Sequence, residues 1–166
     1  MEERPQLKLK LTFFDWVLEL AGWASLIAIW VLTTTHYSSL PQKIAIHFDA
    51  SGKANGFGSR GSILALPILS TFTFIGLTIL NNYPQIFNFP TTITQDNALK
   101  QYTLATRIIR YVKFIIVVIF GTIVRQTIQN ATNQNTGLSP WFLPLTMGLT
   151  LIPLAYYIVK SLQSKS

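Results

Sequence analysis

The chain contains no cysteine in 166 residues, which excludes disulfides, thiolate metal sites and cysteine nucleophiles. It is also poor in charge. Asp, Glu, Lys and Arg together make up 11%, less than half the roughly 25% of an average soluble domain. Six residues are acidic and two are histidine, so paired-carboxylate catalysis and histidine-rich metal centres have few residues to draw on. No Gly-rich phosphate loop, Gly-x-Ser-x-Gly elbow or acidic metal cluster occurs. These shortages weigh against an ordinary soluble enzyme, and no catalytic residue is assigned.

What the chain has instead is apolar sequence: 49% hydrophobic residues and a mean hydropathy of +0.38. Four stretches are each close to the ~20 residues needed to cross a bilayer. They cover 16–35, 61–80, 108–128 and 140–159, and they predict an all-α integral membrane protein, a single four-helix domain over 1–166. The first stretch follows Arg4, Lys8 and Lys10 like the core of a secretory signal. Its length, the interrupting Glu19 and the lack of an Ala-x-Ala-like site after it instead predict a retained helix. Trp16, Trp23 and Trp30 are seven residues apart on one side of that helix, a packing stripe with interfacial anchors.

The net charge is +7 and the pI about 9.9. In so apolar a chain these values indicate the bilayer as partner and no nucleic acid. Four crossings put Arg4, Lys8, Lys10, Lys100, Arg107, Arg110, Lys113, Lys160 and Lys165 towards one side, against Lys43, Lys53, Arg60 and Arg125 on the other. The positive-inside rule then places both termini in the cytoplasm of a multi-pass cell-membrane protein. The loop 36–60 faces outward. Inside, Asp96 and Asn97 cap a helix that runs towards the third crossing, with Lys100, Arg107 and Arg110 on a face suited to acidic lipid heads.

The outer loop carries the most distinctive pattern. Ile44, Ile46 and Phe48 alternate with Ala45, His47 and Asp49, the period of a short strand with one apolar face. Gly52, Asn55-Gly56 and Gly58 supply turns, and Ser59 or Ser62 can cap the second helix. Within the membrane, Glu19 is expected to pair with Lys113 or Arg110, because an isolated charge there is costly. Arg125 lies about 18 Å further along the third helix at 1.5 Å per residue, within reach of Asp49 beneath the outer loop.

Leu40-Pro41, Ile44, His47-Phe48, Asp49, Gly52 and Gly58-Ser59-Arg60 resemble the pattern of the bacterial membrane family known as domain of unknown function 1648. The resemblance implies a small integral membrane protein of bacterial cells. Through longer, SdpI-like relatives it also implies similarity to immunity proteins against a secreted peptide toxin, although this chain ends after four helices. Pro41, His47, Phe48, Asp49, Gly52, Gly58, Ser59 and Arg60 are the candidate ligand or motif residues. The expected role is non-enzymatic: binding or sensing an extracytoplasmic peptide or envelope component, as an immunity or signalling accessory.

Two readings of the polar residues stay open. His36, His47 and Asp49 offer nitrogen and oxygen ligands to a metal, or His47 and Asp49 hydrogen-bond the loop backbone and fix its turn. No cofactor other than such a metal is indicated. A small membrane enzyme or transporter built on His47, Asp49 and Glu19 is the alternative function. Association into homo-oligomers is possible for so small a bundle, and no Gly-x-x-x-Gly stripe marks its interface.

Overall fold

The computed structural model describes residues 4–132 and 137–163; Lys165 lies outside them. Helix α1 spans Phe13–Tyr37, strands β1 (Lys43–Phe48) and β2 (Ala54–Ser59) follow, and a 3-10 turn at Arg60–Leu64 leads into α2 (Ala65–Leu80). A second 3-10 turn at Pro84–Ile86 precedes α3 (Ala98–Ala131), and α4 covers Phe142–Gln163. The molecule is therefore mostly helical with one small two-stranded sheet. Three segments, Phe13–Tyr37, Arg60–Leu80 and Phe142–Gln163, are long and apolar enough to cross a membrane.

Local chemistry accounts for where these helices begin. Thr12 caps α1 in a reciprocal box, its Oγ1 accepting from Asp15 N while Asp15 Oδ2 accepts from Thr12 N. Asn97 sits at the cap position of α3 but bonds backwards, accepting from Thr94 N and donating to Thr92 O. It thus organises the preceding turn and gives α3 no side-chain cap, while Ala98 N donates to Thr94 O at 3.0 Å. Pro67 is tolerated because it lies in the first turn of α2, where its missing N–H breaks no bond. Pro153 lies within α4.

Helix α3 is the centre of the molecule, packing against α1, α2 and α4 and also against β1. It runs in the same direction as α1, since Asp15 meets Arg107 and Glu19 meets Lys113. Leu18, Gly22, Leu26, Ile29 and Thr33 form the buried face of α1 at helical spacing. Val117, Val124 and Ile128 from α3, Phe74 from α2 and Ile44 from β1 complete the core. Helix α4 packs on α3 and makes polar contacts to it: Tyr111 Oη donates to Leu149 O at 2.9 Å, and Gln101 and Ser161 bond twice, at 2.6 and 2.9 Å.

The hairpin end of the bundle is called the outer end below, and the opposite end the inner end. The tryptophan stripe divides. Trp23 packs edge-on to Phe74 with centroids 4.9 Å apart, and Trp30 Nε1 donates to Thr71 Oγ1 at 2.9 Å. Trp16 is half exposed.

Candidate functional site

The outer hairpin is antiparallel, with Lys43 opposite Ser59, Ala45 opposite Phe57, His47 opposite Gly56 and Phe48 opposite Ala54. The register slips twice, leaving Ile46 as the extra residue on β1 and Asn55 as the extra residue on β2. This corrects the simple alternation expected from sequence. Ile44 and Ala45 are both buried while Ile46 is 52% exposed, because a bulge interrupts the two-residue period. The side chains of the two bulged stretches meet. His47 Nδ1 contacts Asn55 Oδ1.

Asp49 organises the turn. Its Oδ1 accepts from Ser51 Oγ at 2.7 Å, Ser51 N at 2.8 Å and Lys53 N at 3.0 Å. The Ser51 hydroxyl and the Lys53 amide hold its carboxyl below the usual carboxylate value. Gly52 has φ +83°, and Gly52 O accepts from Leu138 N at 2.7 Å. The tip is thereby joined to the α3–α4 connection. Gly137, at φ +110°, donates its N–H to Asn130 Oδ1 at 2.7 Å and completes the junction. Glycine is required on both sides, where backbone meets backbone in left-handed conformations.

Beneath the hairpin lies a cavity of about 490 Å3, bounded by Ala45 and His47 from β1, Leu66 from α2, Val124 and Thr127 from α3, and Phe142 from α4. It joins the hairpin motif to the outer ends of three helices. Pro41 lines a neighbouring open hollow with Lys43 and Lys53. Arg60 stacks over the Tyr37 ring at 5.4 Å, and its N–H donates to Gln42 O at 3.0 Å. Ser59 opens the 3-10 turn without a side-chain cap bond. A Cβ on Gly58 would lie 2.9 Å from Ile46 Cδ1, so that glycine makes room for the bulged isoleucine.

The three metal candidates do not converge. His36 Nδ1 lies 3.0 Å from Leu32 O, one turn back in α1, while His47 and Asp49 are engaged within the hairpin. Among the described residues no three His, Cys, Asp or Glu side chains are grouped to hold an ion.

A second constellation lies towards the inner end, between α1 and α3. Asp15 and Glu19, four residues apart on α1, face Arg107, Arg110 and Lys113, three apart on α3. Arg107 grips Asp15 through Nε and Nη2 at 2.9 and 3.2 Å. Lys113, with no exposed surface, donates to Glu19 Oε2 and Thr78 Oγ1, both at 2.7 Å, and lies 4.4 Å from the Phe74 ring centroid. Arg110 Nε is 3.1 Å from Glu19 Oε1, yet the alignment is not that of a hydrogen bond and the N–H is left without an acceptor. The expected lipid-facing basic surface is therefore corrected. Arg107 and Arg110 are consumed by α1, and of that set Lys100 alone stays exposed.

The expected approach of Arg125 to Asp49 does not occur. Arg125 is exposed on α3, and the Asp49 bonds all lie within the turn 49–53. Sequence reasoning missed the Gln101–Ser161 pair, the Tyr111–Leu149 bond and the Asn81 Nδ2 donation to Thr106 O at 3.0 Å. Isolated polar residues at helical spacing in apolar segments were the available signal.

A helical bundle with membrane-length apolar segments, closed at one end by a bulged hairpin, is the class that fold and site define. Residues 24–71, from α1 through the hairpin into α2, match the family described as Domain of unknown function (DUF1648). An uncharacterised protein of Archaeoglobus fulgidus is 38% identical over 77 residues, covering 40% of this chain. The chain spans 42% of the length of that relative. No solved structure matches the chain.

Proposed function

We propose that this chain is an integral membrane protein crossing the bilayer four times, with α3 as the remaining crossing and both termini in the cytoplasm. On this reading the outer hairpin binds an extracytoplasmic peptide or envelope component, and the protein serves as an immunity or signalling accessory. The observation that carries the reading is the 490 Å3 cavity under β1. Apolar walls from four elements suit an apolar side chain or tail, while His47, Asp49 and Thr127 supply polar groups for its other end. The Gly52–Leu138 bond gives an occupant a way to act on α4, because the tip that it would displace is tied to the segment leading into that helix.

Photo-crosslinking from position 46 in intact cells tests the binding. A specific extracellular or envelope species captured from position 46, and absent with the probe at Ile79 near the other end of α2, is the expected result. Equal capture from both positions would overturn it. Topology is tested separately: a thiol introduced by Ser51→Cys should react with an impermeant reagent in intact cells, and one introduced by Asn88→Cys only after permeabilisation.

A further inference from the structure

Three side chains near the inner end are more than nine-tenths buried and carry a polar atom with no hydrogen-bond partner among the described residues: Asn81 Oδ1, Tyr102 Oη and Arg110 Nε. They belong to one place. Tyr102, Thr106 and Arg110 succeed one another at four-residue intervals on α3, so about 12 Å separates the first from the last. Asn81 docks at the middle of that stripe, bonded to Thr106 O.

Orphaned buried polar atoms are rare in folded proteins, and three around two helical turns require a common cause. Their chemistry is mixed. Arg110 Nε donates, Asn81 Oδ1 accepts and the tyrosine hydroxyl does either. An anion would suit the arginine and be repelled by the amide oxygen; a metal ion would suit the amide and be repelled by the arginine. Water satisfies all three. A cleft of about 430 Å3, lined by Leu80, Asn88, Ala105, Ile109 and Tyr157, lies on the adjoining face of α3, next in sequence to Asn81 and Thr106 but not lined by the stripe itself.

We propose that the inner end of the bundle is a hydrated polar site, in which a short file of water molecules bonded to Asn81, Tyr102 and Arg110 links the inner aqueous phase to the Glu19–Arg110–Lys113 cluster. The file solvates a cluster that holds two cations to one carboxylate, an imbalance that hydrocarbon alone would not tolerate. It also leaves the cluster open to small hydrophilic solutes from the inner side and closed from the hairpin side. This site is independent of what the outer hairpin binds.

The absence of cysteine makes the test direct. Thr106→Cys and Val117→Cys place single thiols on the same helix at positions that are both about 1% exposed. In oriented membrane vesicles, the thiol at position 106 should react with a small hydrophilic methanethiosulfonate about tenfold or more faster than that at 117, since reaction needs a solvated thiolate, and only from the inner face. Equal rates at the two positions, or reaction from the hairpin side, would overturn the proposal. Should Thr106→Cys fail to fold, hydroxyl-radical labelling of the unaltered chain decides. Tyr102 modified well above Tyr111, whose hydroxyl is bonded to Leu149 O, supports the water file; equal modification of the two rejects it.

Discussion

The Phe74 ring occupies the space that a side chain at position 22 would need: a Cβ on Gly22 would lie 2.6 Å from Phe74 Cε2. That close approach brings the ring beneath the Lys113 ammonium, 4.4 Å from its centroid, and against Trp23. One absent side chain on α1 thus sets a contact between α2 and α3. Gly22→Val is expected to displace the ring and lower stability by about 1–3 kcal/mol, as overpacking does. Thermal unfolding in detergent checks it, and an unchanged midpoint would contradict the packing described.

Replacing Glu19 by Gln leaves Lys113 and Arg110 buried without their shared counter-charge. The expected loss is about 3–5 kcal/mol, the cost of breaking a buried pair from one side. Asp15→Asn should cost less, because the Arg107 side chain is 34% exposed and solvent screens its charge. Adding Lys113→Met to Glu19→Gln should recover part of the loss. Denaturation of the three variants side by side is the measurement, and an Asp15→Asn effect equal to that of Glu19→Gln would refute the ranking.

The Asp49 carboxyl titrates below its ordinary value of 3.8 because the folded turn donates to its charged form. A depressed folded value means that the contribution to hairpin order is complete above the unfolded value and disappears as pH falls through the lower folded one. Protection of the Ser51 and Lys53 amides should therefore be flat from neutral pH down to about the ordinary carboxylate range, then drop. Asp49→Ala should remove the protection at every pH. Amide exchange of the two groups reads this, and a fall in protection near neutrality would be inconsistent with it.

Gly52→Ala places a methyl 2.5 Å from Leu138 O at a residue with φ +83°. The left-handed conformation alone costs a non-glycine residue about 1–2 kcal/mol, and the clash adds to it, so the tip should detach from the α3–α4 connection. Proteolysis of intact membranes should then cut within 49–56 faster than in the unaltered chain. Equal cleavage rates would mean that the junction does not restrain the tip.

Long apolar runs made α1, α2 and α4 readable from sequence, because a bilayer-length segment is a property of composition alone. The first strand and the turn after it were readable from the short alternating stretch and the glycines; the second strand, Ala54–Ser59, was not. The faces of the first strand were not, since a bulge adds a residue without leaving a mark in the alternation: Ile46 was placed with Ile44 and stands outside. Of the basic residues of α3, Lys113 and Arg110 were read correctly as partners of Glu19, whereas Arg107 and Arg110 were also assigned to a lipid-facing surface. Their fate depends on which helix lies alongside, and two acids four apart on α1 matched to cations three apart on α3 carry that information only once the helices are known to be parallel. Arg125 was aimed at Asp49 by axial distance, which says nothing about the direction in which a side chain leaves its helix. Gln101 and Ser161 are sixty residues apart, and nothing local joins them.

The ladder of Asp15, Glu19, Arg107, Arg110 and Lys113 acts as a detent. A slip of α3 along α1 by one turn, about 5.4 Å, would re-pair one carboxylate at most and leave the other without a cation. Sliding of these two helices past one another is thus opposed by the loss of an ion pair. The inner fastening of α4 to α3 is of another kind, the uncharged Gln101–Ser161 clasp.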